Sequence, residues 1–269
     1  MRFLSIGWKP ERFFSAVAEA PDRALLLDYD GTLAPFRKRR DEARPYPGVV
    51  EALDDLLVNG LCRVVLVSGR AIADLLPLLG LANTPEIWGS HGWERLMPDG
   101  KRESTPLPPA VASALGQAAD WVRELDIADG WELKPAGIAL HWRGLPPGDA
   151  RDLERRARAY WDPICRRGGL AVKNFDGGIE LTATGRNKGH AVSAVLAEMH
   201  PAAVVAYLGD DDTDEDAFEA MHRHPSGHAL AILVRDEWRQ TQADWWLRPP
   251  DELLEFLNNW RSACVNREE

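Results

Sequence analysis

Short apolar runs alternate along the chain with longer segments of helical periodicity. Four runs, rich in aliphatic and β-branched residues, cover 24–27, 62–67, 204–208 and 229–234. Runs of this length and composition predict strands that are buried on both faces, as in a parallel sheet. Between the runs, apolar residues three and four positions apart predict amphipathic helices, one beginning near Val49 and another after Lys188. The alternation predicts a doubly wound α/β core.

The middle of the chain has a different pattern. Residues 98–109 are rich in Pro, Gly and charge, which predicts a linker. Beyond the linker, the periodicity predicts helices near 111–125 and 152–160, and strands near 138–142, 170–172 and 178–181. These strands lack the strongly buried character of the four runs above. We therefore expect a smaller α+β cap domain at 104–182, inserted into a core domain made of 1–103 and 183–269.

Two aspartates follow the first predicted strand directly. Asp28 and Asp30 lie two residues apart, and Gly31 allows the backbone to turn sharply after them. Two carboxylates in this position repel each other unless a cation or a proton offsets their charge. Taken alone, the segment fits either an Asp-Gly turn after a strand or a functional site.

A second acidic cluster, residues 210–216, follows the third predicted strand. Thr213 and Asp216 fit a helix capping box, and acidic residues favour helix N-termini, which explains 214–216 without any ligand. That interpretation leaves Asp210 and Asp211 unexplained. Because ligands of open α/β sheets bind at the carboxyl ends of the strands, both acidic pairs are expected at one edge. Oxygen ligands of this kind suit Mg²⁺.

A serine and a lysine complete the set of candidate site residues at this edge. Ser68 follows the second predicted strand, and its hydroxyl is able to donate a hydrogen bond to a phosphoryl oxygen. Lys188 lies at the start of a predicted helix, where the macrodipole disfavours a cation. A lysine at a helix N-terminus suits a phosphate oxyanion or neighbouring carboxylates. An exposed loop lysine is the alternative for Lys188 considered alone.

In order, strand context and residue type, these residues resemble the four motifs of the haloacid dehalogenase (HAD) superfamily of phosphatases. The motifs are Asp28-x-Asp30-Gly-Thr, Ser68, Lys188 and Gly209-Asp210-Asp211-x-x-Asp214. Nearly the whole chain is similar to trehalose-6-phosphate phosphatases, most weakly in the middle. The segments that carry this similarity are LDYDGTLAP (27–35), VSGR (67–70), GSHG (89–92), Lys134 with HWR (141–143), and GDDDTDEDAF (209–218). The resemblance implies a HAD-like, Rossmannoid core with an inserted cap.

The resemblance also implies catalytic roles. Asp28 is expected to attack phosphorus and form an aspartyl-phosphate, and Asp30 to protonate the leaving sugar oxygen and then activate water. Lys188 and Ser68 are expected to stabilise the charge of the transferring phosphoryl group. The implied cofactor is Mg²⁺. Its expected ligands and their supporting carboxylates are Asp28, Asp30 through its backbone carbonyl, Asp210, Asp211 and Asp214.

For the substrate, the resemblance implies contacts from both predicted domains. The expected substrate-binding residues are Arg70, His91, Gly92, Lys134, His141, Arg143, Glu180 and Asn187. Alternation along the strand near 138–142 places His141 and Arg143 on one face. The segment around Glu180 departs from the family pattern, because Asp176 stands where a lysine is expected and Thr182 where a basic residue is common.

These departures keep other substrates and functions open. The leading hypothesis is hydrolysis of trehalose 6-phosphate. Glucosylglycerol phosphate, sucrose phosphate and mannosylglycerate phosphate are alternatives for a phosphatase of the same fold. A non-catalytic sugar-phosphate sensor would be expected to lack Asp28 or Asp30, and both are present. A phosphomutase that passes the phosphoryl group to a second sugar hydroxyl is a further alternative.

Composition narrows the partners and the compartment. The chain has 269 residues, 45% of them hydrophobic, and a formal net charge of -10. Such an acidic chain is not expected to bind nucleic acid or an anionic membrane, both of which require clustered Lys and Arg. Three separated cysteines, no signal-peptide pattern and no run of membrane-spanning length predict a cytoplasmic protein. The sequence does not determine the oligomeric state, and a monomer is favoured.

Overall fold

The computed structural model describes residues 1–4, 7–37, 39–125, 127, 130–175, 177–224 and 228–265. The chain divides into two compact units, which are Met1–Glu103 with Asn187–Glu269, and Ser104–Arg186. We refer to them as the core unit and the inserted unit. The expected boundary at 182 falls one residue before the end of the last strand of the inserted unit, Gly178–Ala183.

The described strands and helices are numbered in chain order. The strands are β1 (Arg2–Phe3), β2 (Arg23–Leu27), β3 (Arg63–Val67), β4 (Glu86–Gly89), β5 (Glu94–Leu96), β6 (Arg102–Ser104), β7 (Trp131–Lys134), β8 (Gly137–His141), β9 (Leu170–Phe175), β10 (Gly178–Ala183), β11 (Val204–Gly209), β12 (Ala229–Val234) and β13 (Trp245–Leu247). The helices are α1 (Pro10–Glu19), α2 (Val49–Val58), α3 (Ile72–Leu79), α4 (Pro109–Arg123), α5 (Pro147–Cys165), α6 (Lys188–Ala197), α7 (Glu215–His222) and α8 (Asp251–Val265). None of the described helices is both long and apolar enough to span a bilayer.

The core unit is built on a sheet of nine described strands in the order β1-β13-β12-β11-β2-β3-β4-β5-β6. The six strands from β13 to β4 are parallel. In β2, Leu25 and Leu27 enter one apolar cluster with α1, α2, α3 and α8, whereas Ala24 and Leu26 enter a second cluster with α6 and α7. Helices therefore cover both faces of the sheet, and the prediction of a doubly wound α/β core is confirmed.

The edges of this sheet were not predicted. β1 and β5 pair antiparallel with β13 and β4, respectively. β6 lies inside 98–109, so the prediction of a linker is wrong over Arg102–Ser104. This strand is exposed and only three residues long, which leaves it without the apolar alternation that identifies a strand in a sequence.

The described part of the inserted unit has four antiparallel strands in the order β7-β8-β10-β9, with α4 and α5 packed against the sheet. Its apolar face includes Ile138, Leu140, Ile179 and Leu181, all fully buried. Sequence analysis predicted three of these strands and missed β7, a short segment that alternates apolar and charged residues. The register places charged and polar side chains on the opposite face, among them Glu132, Lys134, His141, Lys173 and Glu180.

Candidate active site

Three buried aspartates converge at the carboxyl edge of the core sheet. One carboxylate oxygen from each of Asp28, Asp210 and Asp214 lies within 4.8 Å of the other two. Asp28 follows β2, and its N–H donates to the carbonyl of Leu208 in β11 (2.9 Å), so the ends of the two central strands are adjacent. Gly31 has a φ of 83°, and a Cβ at this position would lie 2.1 Å from Oδ2 of Asp210. Only glycine allows this approach.

Lys188 links two of the carboxylates. Its Nζ lies 2.9 Å from Oδ1 of Asp28 and 2.8 Å from Oδ1 of Asp214, and its side chain is 3% exposed. Burial alone would lower the pKa of Lys188, but Asp214 and Asp28 outweigh burial and raise this pKa well above its ordinary value. The lysine therefore stays an ammonium. The group of three carboxylates and one ammonium has a formal charge of -2 when all four are ionised.

Asp214 is fully engaged by the protein. Its Oδ1 accepts hydrogen bonds from Lys188 and from the Tyr207 hydroxyl (2.5 Å), and its Oδ2 accepts from the backbone N–H groups of Asp210 (3.0 Å) and Asp211 (3.1 Å). A carboxylate has about four acceptor sites, so these bonds fill Asp214. Sequence analysis missed Tyr207, although a hydroxyl in a buried aliphatic strand needs a partner.

Asp210 has the opposite character. Its Oδ1 is buried and has no hydrogen-bond partner in the described part of the chain. Burial, and then the charges of Asp28 and Asp214, raise the pKa of Asp210 well above its ordinary value. Burial also raises the pKa of Asp28 to about 8, although Lys188 opposes this shift. Keeping these carboxylates ionised is costly without a further cation. The buried oxygen donors of Asp28 and Asp210 therefore fit a hard divalent cation such as Mg²⁺.

The carboxylate of Asp30 is paired with Arg70. Nε and one terminal nitrogen of Arg70 each donate to a different oxygen of Asp30, both at 2.6 Å. The second terminal nitrogen of Arg70 donates to the carbonyl of Arg40 (3.0 Å). The backbone N–H of Arg70 donates to Oγ of Ser68 (3.1 Å). The guanidinium is thus held by protein groups, and Ser68 keeps its own hydroxyl proton available for another acceptor.

Asp211 caps the turn that follows β11. Its Oδ1 accepts the backbone N–H (2.8 Å) and the hydroxyl (2.6 Å) of Thr213. Asp211 and Asp214 form a capping box over a 3₁₀ turn that precedes α7. The predicted capping box of Thr213 and Asp216 is therefore wrong, because the hydroxyl of Thr213 donates to Asp211 and the capping begins two residues earlier than expected.

The loop after β4 is fixed against the loop after β3. The N–H of Ser90 donates to the carbonyl of Arg70 (2.7 Å), and the N–H of His91 donates to the carbonyl of Ser68 (3.0 Å). Ser90 and His91 have φ values of 51° and 56°, which are uncommon for residues other than glycine. A Cβ at Gly69 would lie 2.6 Å from the His91 ring, so a larger residue at position 69 would clash with this ring. Arg70 and His91 are thus brought together.

Asn187 and Gly92 lie where the chain enters α6. Asn187 caps this helix, because its side chain accepts the backbone N–H of His190 (3.0 Å). Gly92 has a φ of 93°, and a Cβ there would approach the carbonyl of Asn187 to 3.2 Å. The loop after β4 therefore packs against the beginning of α6, at the residue before Lys188.

Within the inserted unit, the predicted substrate-binding residues lie on or beside the polar face of the sheet. Nζ of Lys134 lies 3.1 Å from Oε2 of Glu180, and both side chains are buried. Nε2 of His141 lies 3.4 Å from Oε2 of Glu132. Arg143 follows β8, and its side chain lies against Gly177, the residue before β10. Asp176, one of the two departures from the family pattern, lies outside the described residues.

Solved structures define the class of this fold. The C-terminal domain of C. albicans trehalose-6-phosphate phosphatase superposes with a TM-score of 0.78 at 21% identity, covering 97% of this chain and 99% of that domain. A haloacid dehalogenase-like hydrolase from B. subtilis superposes with a TM-score of 0.58 at 14% identity, covering 87% of this chain and 98% of that chain, so the fold is HAD-like.

Sequence comparison narrows the class to one family. The family model described as Trehalose-phosphatase matches residues 26–250, and the chain belongs to this family. Among curated proteins, the trehalose-phosphate phosphatase of Mycobacterium marinum is 37% identical over 255 residues, which are 90% of this chain and 62% of that protein. The trehalose-phosphate phosphatase of Mycobacterium leprae is 35% identical over 250 residues, 87% of this chain and 56% of that protein. The chain thus spans less than two thirds of the length of these relatives.

Proposed function

We propose that this chain is a Mg²⁺-dependent phosphatase that hydrolyses trehalose 6-phosphate to trehalose and inorganic phosphate. Membership in the Trehalose-phosphatase family and the names of its relatives support the substrate. The observation that carries the chemistry is the buried, negatively charged group around Lys188, in which one oxygen of Asp210 has no partner among the described residues. Such a group is stable in a folded core when it binds a cation.

The proposed metal ligands are carboxylate oxygens of Asp28 and Asp210 and the backbone carbonyl of Asp30. Asp211 and Asp214 take supporting positions, since their oxygens already accept bonds from the turn after β11. Bound Mg²⁺ supplies positive charge that offsets both the carboxylates and the phosphoryl group in transfer.

In the first half-reaction, a carboxylate oxygen of Asp28 attacks phosphorus and the bond from phosphorus to the sugar oxygen breaks. Asp30 gives its proton to that sugar oxygen, which releases the sugar and leaves an aspartyl-phosphate on Asp28. Both oxygens of Asp30 are bonded to Arg70 in the structure. Asp30 therefore has to part from Arg70 and take up a proton from solvent before it donates to the leaving oxygen, and Arg70 is then able to bind the substrate.

In the second half-reaction, Asp30 takes a proton from water as the water oxygen attacks phosphorus. The bond from phosphorus to Asp28 breaks, inorganic phosphate leaves, and both aspartates return to their starting states. Lys188, whose ammonium lies 2.9 Å from Asp28, stabilises the negative charge of the phosphoryl oxygens, and the Ser68 hydroxyl donates to one of them.

The residues proposed to recognise the sugar phosphate are those that the family resemblance implies, with Gly92 acting through its backbone. They are Arg70, His91, Gly92, Asn187, Lys134, His141, Arg143 and Glu180. Carboxylate, ammonium and imidazole groups of this kind exchange hydrogen bonds with sugar hydroxyls. Because Asp176 and Thr182 depart from the family pattern beside Glu180, another sugar phosphate is the alternative substrate.

The test is phosphate release by the purified chain with Mg²⁺ across trehalose 6-phosphate, sucrose phosphate, glucosylglycerol phosphate and mannosylglycerate phosphate, with Asp28→Asn as control. Preference for trehalose 6-phosphate that is lost in the variant supports the full proposal. Preference for another of these sugars keeps the chemistry and changes the substrate. Transfer of the phosphoryl group to a second sugar identifies a phosphomutase. A folded chain that binds these compounds without turnover is a sensor, and the proposal is then wrong.

A further inference from the structure

The orientation of the Asp210 side chain is set by hydrogen bonds to the main chain on either side of it. Its side-chain Oδ1 has no partner in the described part of the chain, whereas both flanking backbone groups are bonded. Its N–H donates to Oδ2 of Asp214 (3.0 Å). Its carbonyl accepts from Nε of Arg239 (3.2 Å) and from a terminal nitrogen of Arg235 (3.3 Å). The direction of the Asp210 carboxylate therefore depends on what holds these two peptide groups.

The planar guanidinium of Arg239 donates several hydrogen bonds to the turn after β11. Besides the carbonyl of Asp210, its guanidinium donates to the carbonyls of Asp211 (2.6 Å) and Gln240 (2.9 Å) and to Oε1 of Glu215 (2.6 Å). The Arg239 side chain is 16% exposed. A rigid guanidinium fork fixes the relative positions of its acceptors, which a flexible ammonium with one point of attachment does not.

Glu215 fixes Arg239 in turn. Glu215 is the first residue of α7, and besides Arg239 it accepts the hydroxyl of Thr241 (2.8 Å) and the N–H of Gln242 (2.8 Å). The segment after β12 is thereby attached to the start of α7 and to the turn after β11. Because the charge of Glu215 offsets much of the charge of Arg239, the guanidinium acts on the acidic group chiefly through geometry.

We infer that Arg239 is a positioning residue for the metal site, which holds the Asp210–Asp211 peptide so that the Asp210 carboxylate points at the cation. The inference rests on the proposed function, since it concerns the Mg²⁺ site of that proposal. Residues that orient metal ligands without touching the metal typically change metal affinity by about 10- to 100-fold when they are removed. Turnover at saturating metal changes much less, because Asp28, Asp30 and Lys188 stay in place.

The test is calorimetric titration of Mg²⁺ into the wild-type chain and into Arg239→Gln and Arg239→Lys, with thermal unfolding in EDTA. We expect Arg239→Gln to bind Mg²⁺ about 10- to 100-fold more weakly, and phosphate release at saturating Mg²⁺ to stay within about threefold of wild type. Arg239→Lys keeps the charge but loses the fork, so it is expected to retain most of the defect. Arg223→Gln is the matched control, because Arg223 pairs with Glu219 on the exposed side of α7.

The outcomes separate positioning from a purely structural role. A lower unfolding temperature in EDTA with Mg²⁺ affinity within about twofold of wild type would overturn the inference. So would wild-type affinity in Arg239→Lys, which would assign the effect to charge. If Arg239→Gln does not fold, the Mg²⁺ affinities of Arg239→Lys and Glu215→Gln test the inference instead. Glu215→Gln is expected to bind Mg²⁺ several-fold more weakly than wild type. A wild-type chain that binds Mg²⁺ but releases no phosphate overturns the proposed function and leaves this comparison valid, whereas one that binds no Mg²⁺ overturns both.

Discussion

Two groups of charged side chains lie at opposite edges of the core sheet, and they differ in charge balance. The carboxylate cluster, at the carboxyl ends of the central strands, comprises Asp28, Lys188, Asp210 and Asp214. The arginine–glutamate network, at the amino ends of β3 and β4, comprises Arg63, Glu86, Arg95 and Glu198. The cluster has three carboxylates for one cation, whereas the network has two for two. The cluster needs a further cation or protons to offset its charge, and the network does not.

Every acceptor in the network is matched. Oε2 of Glu86 accepts from Arg63 (2.9 Å), and its Oε1 accepts from the Trp88 indole (2.8 Å) and from Arg95 (2.8 Å). Glu198 accepts from Arg63 (2.6 Å) and twice from Arg95 (2.8 and 2.7 Å). Buried charges tolerate desolvation when they are paired and hydrogen-bonded in this way. The network is therefore complete, unlike the cluster with its unpartnered Asp210 oxygen.

Helix α6 joins the two groups and is charged against its dipole at both ends. Lys188 is its first residue, and Glu198 follows its last. A cation at a helix N-terminus and an anion at a C-terminus are each unfavourable, by about 0.3–1 kcal/mol at exposed sites. Each is offset by its own partners, Asp28 and Asp214 at one end, Arg63 and Arg95 at the other. Buried charge alone therefore does not mark a functional site, whereas a buried excess of one charge does.

The two groups are expected to differ most in their contribution to activity. Asp28→Asn removes the proposed nucleophile, so phosphate release is expected to fall by about 10⁴-fold or more while the chain stays folded. Glu86→Gln, in the network, is expected to leave the activity per folded molecule unchanged. Phosphate release normalised to the folded fraction measures both. Equal losses in the two variants would remove the distinction between site and structure.

For the stability of the fold, substitutions in the network are expected to cost more than substitutions in the cluster. Glu86→Ala removes the buried one of the two carboxylates that Arg63 and Arg95 share, and breaking a buried ion pair in this way costs about 3–5 kcal/mol. Urea unfolding of wild type and variant measures the loss as a change in midpoint. The control is Glu103→Ala, which removes an exposed partner of Lys101 and is expected to change stability little. A Glu86→Ala midpoint within error of wild type would contradict the assignment of the network as structural.

Removal of one carboxylate charge is expected to change stability in opposite directions in the two groups. Asp210→Asn removes one charge from an unbalanced group, so without metal it is expected to stabilise the fold by about 1 kcal/mol, as substitutions at functional sites often do. It is also expected to abolish the rise in unfolding temperature caused by Mg²⁺. Thermal unfolding in EDTA and in Mg²⁺ measures both effects.

The control for this prediction is a neighbouring aspartate outside the cluster. Asp212 is 96% exposed, and its pair with Arg239 is long at 3.4 Å. Because Arg239 keeps its other acceptors, Asp212→Asn is expected to keep the Mg²⁺-induced rise and to leave the unfolding temperature in EDTA nearly unchanged. Destabilisation by Asp210→Asn in EDTA would mean that the cluster is already balanced in the metal-free fold, and the contrast with the network would fail.

The sequence predicted the cluster better than the network, for a physical reason. The four apolar runs indicated which residues follow buried strands, and parallel strands deliver those residues to one edge. Asp28, Ser68 and Asp210 were therefore predictable from local pattern, and α6 begins at Lys188 as expected. Placing Asp30 was harder, because its pairing with Arg70 depends on two loops 40 residues apart in the chain.

The residues that sequence analysis missed are linked by contacts without a local signal. Arg63 and Glu198 are separated by 135 residues, and Arg239 and Asp210 by 29. An arginine in such a segment is indistinguishable from an exposed one until the tertiary structure brings its acceptors together. The edge strands were missed because two- and three-residue strands have too few positions to show alternation.

The smallest expected effect is a pH dependence at Glu198. Hydrogen bonds from Arg95, and to a lesser degree from Arg63, lower the pKa of Glu198 from 4.5 to about 2 against the opposing effect of burial. Because the folded-state pKa is below the unfolded one, the stabilisation is complete above about pH 4.5 and is lost as the pH falls from there toward 2. Since the Glu198 side chain is 43% exposed, solvent screening keeps its contribution below about 1 kcal/mol.

Glu198→Gln tests whether this charge contributes at all. The difference in unfolding free energy between wild type and variant is expected to be constant from pH 7 to pH 5 and to shrink at pH 3.5. It is also expected to decrease in high salt, because the pair is partly exposed. Urea unfolding at the three pH values measures the difference. A difference that is independent of pH would assign the effect of the substitution to packing, and Glu86 alone would then hold the two arginines of the network.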